Sequence, residues 1–239
     1  MVKHQSSYGI NGSGSLALQT CAIDSNGGFG INAVTGFSAD SSTIVGNNGN
    51  GISYTGTMEM SNTTISNNTD HAITGDGEKD LTNVVINNNG GHGISGSGDI
   101  ELINVTVRAN GQKGLTGYTG SFVATNSRIV DNQNGGLVHN EDVQMVLSSC
   151  RVDSNSSLSS GGGIAGSGSL ILNDTQVKGN SSNSNGGGIY INGALEATSG
   201  LTHDVDNLKY TIEESEIGYE NFCVIETFIK SIEWLYLAA

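Results

Sequence analysis

The sequence predicts an all-β fold: a parallel β-solenoid of about nine coils, three short strands in each, with a short helical tail. Three observations predict it. An asparagine recurs at Asn26, Asn47, Asn68, Asn89, Asn110, Asn132, Asn155 and Asn180, in steps of 21 residues that lengthen to 25. An apolar residue recurs at Ile10, Ile31, Ile52, Ile73, Ile94, Leu115, Leu137, Ile164 and Ile189. Within each coil apolar and polar residues alternate between Gly, Ser and Asn, which is strand and turn chemistry. A fixed period of this length means stacked units that bury their apolar faces only against one another.

The first coil supplies Ile10, Leu16, Leu18, Cys21 and Ile23, and the second Ile31, Phe37, Ala39 and Ile44. The third supplies Ile52, Met58, Met60, Thr63 and Ile65. In the fourth, the slot that should be apolar is Lys79, within GDGEKD, and a local bulge that swings this side chain outward is expected. The fifth, Gly90–Asn110, is the most regular, with Ile94, Ile100, Leu102, Val105 and Val107. The sixth and seventh are longer, and the eighth and ninth carry their extra length in SSLSSGGG and SSNSNGGG. Such insertions become loops on one edge of the stack.

Composition agrees. The chain has 239 residues, 36 Gly, no Pro and 5% aromatics, which suits a narrow core and uninterrupted strand ladders. Net charge is −14, which argues against nucleic acid and anionic membrane as partners. No apolar run is long enough to span a bilayer, so no membrane insertion is expected. The N-terminus has no apolar signal region; the expectation is a protein that stays where it is made, or a piece of a longer chain. Cys21 and Cys150 share one inward slot six coils apart, about 29 Å, beyond disulfide reach.

Two polar rows run down the stack. One is the asparagine row. The other is Thr20, Ser41, Asn62, Asn83, Asn104, Asn126, Ser149 and Asp174. Both read as hydrogen-bonding ladders at the bends. The repeat domain is assigned to 1–200. Residues 201–239 form an acidic tail in which Phe222, Ile225, Phe228, Ile229, Ile232 and Leu235 fall at helical spacing. An amphipathic helix over 219–237 is expected to cap the open end of the stack; the ends otherwise need a neighbouring domain or partner.

The Gly-Ile opening, the three strands and the closing asparagine, over about residues 8–200, resemble the right-handed parallel β-helix of the pectin-lyase-like superfamily. The last coils, with Gly162, Gly163, Ile164 and Asn180, then Gly187, Gly188 and Ile189, resemble repeats of polymorphic outer-membrane proteins and autotransporter adhesins. That resemblance implies a right-handed coil and an extracellular or cell-surface setting. Asn68-Thr69-Asp70 and Gly91-His92-Gly93 are similar to motifs of polygalacturonases, but that family's paired-aspartate coil and Arg-Ile-Lys segment are missing. Without the carboxylate cluster there is no acid opposite a water-activating base.

The most informative surface row lies two residues before each opening apolar residue: Tyr8, Phe29, Asn50, His71, His92 and Lys113. Stacked about 4.8 Å apart, these groups offer ring faces to sugars and charge to acidic groups, a glycan-contact strip. The expected function is a non-catalytic, adhesin-like surface segment contacting a polysaccharide or a surface protein through repeated shallow sites. The alternative is a lyase or hydrolase of acidic polysaccharide centred on Asp70, His71, His92 and Lys113, with Asp70, His92 and Lys113 as catalytic candidates. Calcium-dependent lyase chemistry would draw on Asp70, Asp76 and Glu78 with Lys113 or Arg108. No motif indicates calcium, and no cofactor or metal site is expected. Ice binding would need matched threonines, and Ala22, Thr43, Thr64, Val85 and Thr106 are too mixed.

Overall fold

The computed structural model describes residues 1–117, 119–198 and 208–210. Among them the chain is all-β, a parallel solenoid of about nine coils whose every strand pairing is parallel. One nine-stranded sheet takes the third strand of each coil, beginning with Val2–Lys3 and then Ala22–Asp24, Thr43–Val45, Thr64–Ser66 and Val85–Asn87. It continues through Thr106–Arg108, Arg128–Val130, Arg151–Asp153 and Gln176–Lys178. The first and second strands of all coils belong to one fifteen-stranded sheet. They join because Ile31–Asp40, Ile52–Ser61, Leu137–Ser148 and Ile164–Asn173 run unbroken through the first bend. A two-stranded sheet pairs Ser156–Ser157 with Ser181–Ser182.

The opening row stacks in register, each residue facing its successor from Ile10 to Ile189. From Ile31 onward every member is buried. The middle residue of each three-residue strand (Ile23, Ile44, Ile65, Ile86, Val107, Ile129, Val152, Val177) points into the same core. The flanking residues point away from that core, as a period of two requires, and all but Ser66, Val130 and Asp153 are at least partly exposed. Past Ala197 the fifteen-stranded sheet gains a strand within the expected tail: Leu208–Tyr210 pairs with Ile189–Ile191. The expected helix over 219–237 lies outside the described residues.

The asparagine row is a buried ladder. Asn47 donates from its backbone N–H (3.1 Å) and from Nδ2 (2.9 Å) to Oδ1 of Asn68, while Asn47 Nδ2 also reaches the Ile23 carbonyl at 3.3 Å. The pattern repeats from Asn68 to Asn89 and on to Asn155 and Asn180. Each side chain thereby satisfies bend groups that no strand can reach. The second polar row has a further cause. All eight of its members hold φ between 45° and 56°, the left-handed region in which a short polar side chain is best tolerated. A parallel left-handed row precedes the ladder at Ser25, Asn67, Asn88, Ala109, Asp131 and Ser154, with Gly46 and Gly179.

Lys79 does not swing outward. It is fully buried in a regular strand, paired on both sides with Met58 and Ile100. Its Nζ donates to the carbonyls of Gly77 (2.9 Å) and Ser97 (2.8 Å) and lies 5.5 Å from the Tyr54 ring centroid. Two glycines admit this arrangement. At Gly75 (φ 153°) a Cβ would lie 2.7 Å from Tyr54 Cδ1, and at Gly96 (φ 133°) it would lie 2.0 Å from the Gly75 carbonyl. Burial lowers the Lys79 amine to about 8, although Asp76 nearby opposes the shift. Tyr54 is likewise interior, and its hydroxyl has no hydrogen-bond partner among the described residues.

Candidate functional site

The strip lies at the corner between the asparagine ladder and the opening apolar row. Its members do stack. Tyr8 and Phe29 tilt together, ring centroids 5.4 Å apart at 55°. His71 and His92 lie face to face, 4.8 Å apart and 8° from parallel. Between Asn50 and Lys113 the row is also a ladder. The His71 N–H donates to Asn50 Oδ1 at 3.1 Å, the His92 N–H to His71 Nδ1 at 2.8 Å, and the Lys113 N–H to His92 Nδ1 at 3.1 Å. Asn50 is accordingly buried and both histidines are half-buried.

This geometry fixes the chemistry of the two imidazoles. A neutral imidazole has one lone pair. In both rings that pair is on Nδ1 and is committed to a backbone N–H, so Nε2 carries the proton. The outward nitrogens are therefore hydrogen-bond donors. They have no lone pair with which to take a proton from substrate or to hold a metal unless the ladder breaks. Burial lowers the His92 pKa to about 4, with His71 and Lys113 adding to the shift against the weaker pull of Asp70. This favours the uncharged His92 ring at neutral pH. Burial also lowers the pKa of Lys113.

A pH effect follows. Between about 6.5 and 4 the unfolded chain takes up a proton at residue 92 that the folded chain refuses, so stability falls as pH falls through that window. In a proton NMR titration the His92 ring resonances are expected to move with a midpoint near 4, and a midpoint near 6.5 would contradict the committed lone pair.

The other candidates divide. Asp70 is exposed, its Oδ1 3.6 Å from His71 Nε2. Asn68, beside it, is a ladder residue, 1% exposed, with both ends of its amide bonded inside the stack. Gly91 and Gly93 are packing requirements: a Cβ on Gly91 would lie 2.4 Å from His71 Nδ1, and one on Gly93 2.5 Å from the Gly114 carbonyl. Of the residues that resemble polygalacturonase motifs, Asn68, Gly91, His92 and Gly93 thus serve the stack, while Thr69 and Asp70 are exposed. Asp76 accepts from the Ser97 hydroxyl and N–H, which hold its carboxyl below the usual range. Glu78 is exposed beside it. Arg108 lies on the outer face of the nine-stranded sheet, across the asparagine corner from Lys113. Among the described residues no group of three His, Cys, Asp or Glu is placed to hold a metal ion.

Sequence reasoning missed two interior polar side chains, Tyr54 and His139, both two residues after an opening apolar residue. His139 Nε2 is 3.0 Å from the Gly120 carbonyl, while its Nδ1 has no partner among the described residues. The signal was present: glycines at 75, 96 and 117 hold the same slot between them, and removing three side chains makes room for large neighbours.

No family model matches the chain, and neither a curated protein nor a solved structure does.

Proposed function

We propose that the chain is a non-catalytic β-solenoid segment that presents an extended face for contact with a glycan or a surface protein, in an extracellular or cell-surface setting. The committed lone pairs of His71 and His92 are the observation that carries this reading. They leave a line of donors (two Nε2–H groups and the Lys113 amine) beside two aromatic rings, Tyr8 and Phe29. Such a line suits the hydroxyl and carboxylate oxygens of an extended sugar chain, with ring faces for stacking. It suits acid–base chemistry poorly, because a general base needs a free lone pair within reach of the proton it removes. The resemblance to pectin-lyase-like and autotransporter repeats supports the same setting.

The test incubates the full chain with acidic and neutral polysaccharides, with and without calcium, and follows new chain ends and co-sedimentation together. Co-sedimentation without new chain ends is expected. Changing His71, His92 and Lys113 together to Ala is expected to weaken retention severalfold. New chain ends abolished by His92→Ala would make the protein a polysaccharide-cleaving enzyme and overturn the proposal.

A further inference from the structure

The outer face of the nine-stranded sheet carries charge in one place. In each three-residue strand the first and third side chains point away from the core, forming two columns about 7 Å apart, with Ser66, Val130 and Asp153 of the second column covered by their neighbours. The first column reads Ala22, Thr43, Thr64, Val85, Thr106, Arg128, Arg151 and Gln176. The other reads Asp24, Val45, Ser66, Asn87, Arg108, Val130, Asp153 and Lys178. All three arginines of the chain therefore fall on this face, on three successive coils, and Lys178 adds a fourth. The chain has only nine Lys and Arg against 23 Asp and Glu.

Arg128 and Arg151 are direct neighbours in register. Like charges directly opposite one another cost stability in a sheet. Arg151 is relieved by Asp153, to which its Nε donates at 2.9 Å. Arg108, Arg128 and Lys178 are exposed and have no ion pair within 4 Å among the described residues, although Lys178 is the register neighbour of Asp153 and feels its charge. Asp131 flanks the group at the corner. On the fifteen-stranded sheet, by contrast, Glu59, Asp80 and Glu101 form an exposed acidic column in register. The molecule is thus electrically two-faced, with its positive strip two columns wide and four coils tall.

We infer that this strip, centred on Arg108, Arg128, Arg151 and Lys178, is a binding surface for a single-file linear polyanion, a carboxylated or sulfated glycan chain lying along the stack axis. The inference rests on the glycan-contact reading above and places the ionic part of that contact on a second face. A chain laid along the axis meets a new coil about every 4.8 Å, with guanidinium groups that pair oxyanions through two parallel N–H donors. The strip's narrowness excludes a broad polyanion. A double-helical nucleic acid would extend over the acidic surroundings of a chain with net charge −14.

The test measures binding of the full chain to polygalacturonate, dextran sulfate, neutral dextran and duplex DNA at low salt. Polygalacturonate and dextran sulfate separate carboxylate from sulfate recognition. Arg108→Gln, Arg128→Gln and Lys178→Gln together leave the Arg151–Asp153 pair in place, and are expected to weaken polyanion binding roughly tenfold while the melting curve holds. Glu59→Gln, Asp80→Gln and Glu101→Gln together shift net charge by the same amount on the other face, and are expected to leave binding within about twofold. Unchanged binding by the triple basic variant, an equal response to the acidic variant, or duplex DNA binding as tightly as the glycans would each overturn the strip. Polyanion binding lost only on the His71, His92 and Lys113 change would overturn the strip and spare the glycan-contact reading. Absence of binding to every polysaccharide would overturn both.

Discussion

Replacing Asn68 by Ala is expected to destabilise the protein by about 3 kcal/mol or more, from two or three buried groups left unpaired at about 1–3 kcal/mol each. Asn68 Oδ1 accepts from both the backbone N–H and Nδ2 of Asn47, and its own Nδ2 reaches the Ile44 carbonyl at 3.2 Å. Alanine removes the acceptor from two donors and the donor from the Ile44 carbonyl and Asn89 Oδ1, at a buried position. Asn83→Ala is the comparison. Asn83 is exposed and left-handed, and its side chain bonds only Asn62 (3.1 Å) and Asn104 (3.2 Å) at the surface, where water can replace them, so its loss costs about 1 kcal/mol. Urea unfolding of the two full-length variants separates them. Equal losses would mean that the buried row holds the corners no better than the exposed one.

Raising the pH from about 8 towards 10 is expected to stabilise the protein relative to its Lys79→Met variant, which runs against ordinary alkaline behaviour. In that window the unfolded chain still holds the Lys79 proton, with an ordinary value of 10.5, while the folded chain has begun to release it at about 8. Where the unfolded state binds more protons, stability rises with pH, by up to about 1.4 kcal/mol per unit for one group. Tyr54 closes the window. Burial, aided by Asp76, pushes its phenol above the usual value, so above about pH 10 the unfolded chain ionises first and stability falls again. The urea midpoint of the wild type is expected to rise relative to that of Lys79→Met between pH 8 and 10; the buried groups common to both, Lys113 with its lowered pKa and Cys150 with its raised one, cancel in the difference. Wild-type and Lys79→Met profiles that run parallel would mean that Lys79 reaches water.

The solenoid was legible because its periodicity is redundant: an asparagine row, an apolar row and the alternation between them all keep one register. The departures were legible only as anomalies. Lys79 stood out in an apolar slot, but an outward bulge looked cheaper than burying an amine. The burial is permitted by the Gly77 carbonyl of its own coil and by the Ser97 carbonyl and Tyr54 ring of the neighbouring coils. The site row was found as a row. What its histidines do was not visible, because the direction of an imidazole lone pair depends on where the next coil's N–H falls. The arginine strip was visible in principle, since residues 128 and 151 share a column once the coils are aligned. The net charge of −14 masks it, because a sum over the whole chain carries no local sign.

The growing coils carry a consequence for how this architecture changes. Added residues sit at two bends only: at the first bend in the sixth and seventh coils, as at the register shift between His139 and Asp142, and beside the asparagine ladder in the eighth and ninth. The ladder bridges these length changes without a break, since Asn155 bonds Asn180 across 25 residues as Asn68 bonds Asn89 across 21. Perimeter and pitch are thus separate variables. One bend can gain or lose a loop while the distance between rungs, and with it the spacing of every outward column, stays constant. A lineage built this way is free to alter the relief of one edge, residue by residue, against a ruler that does not stretch.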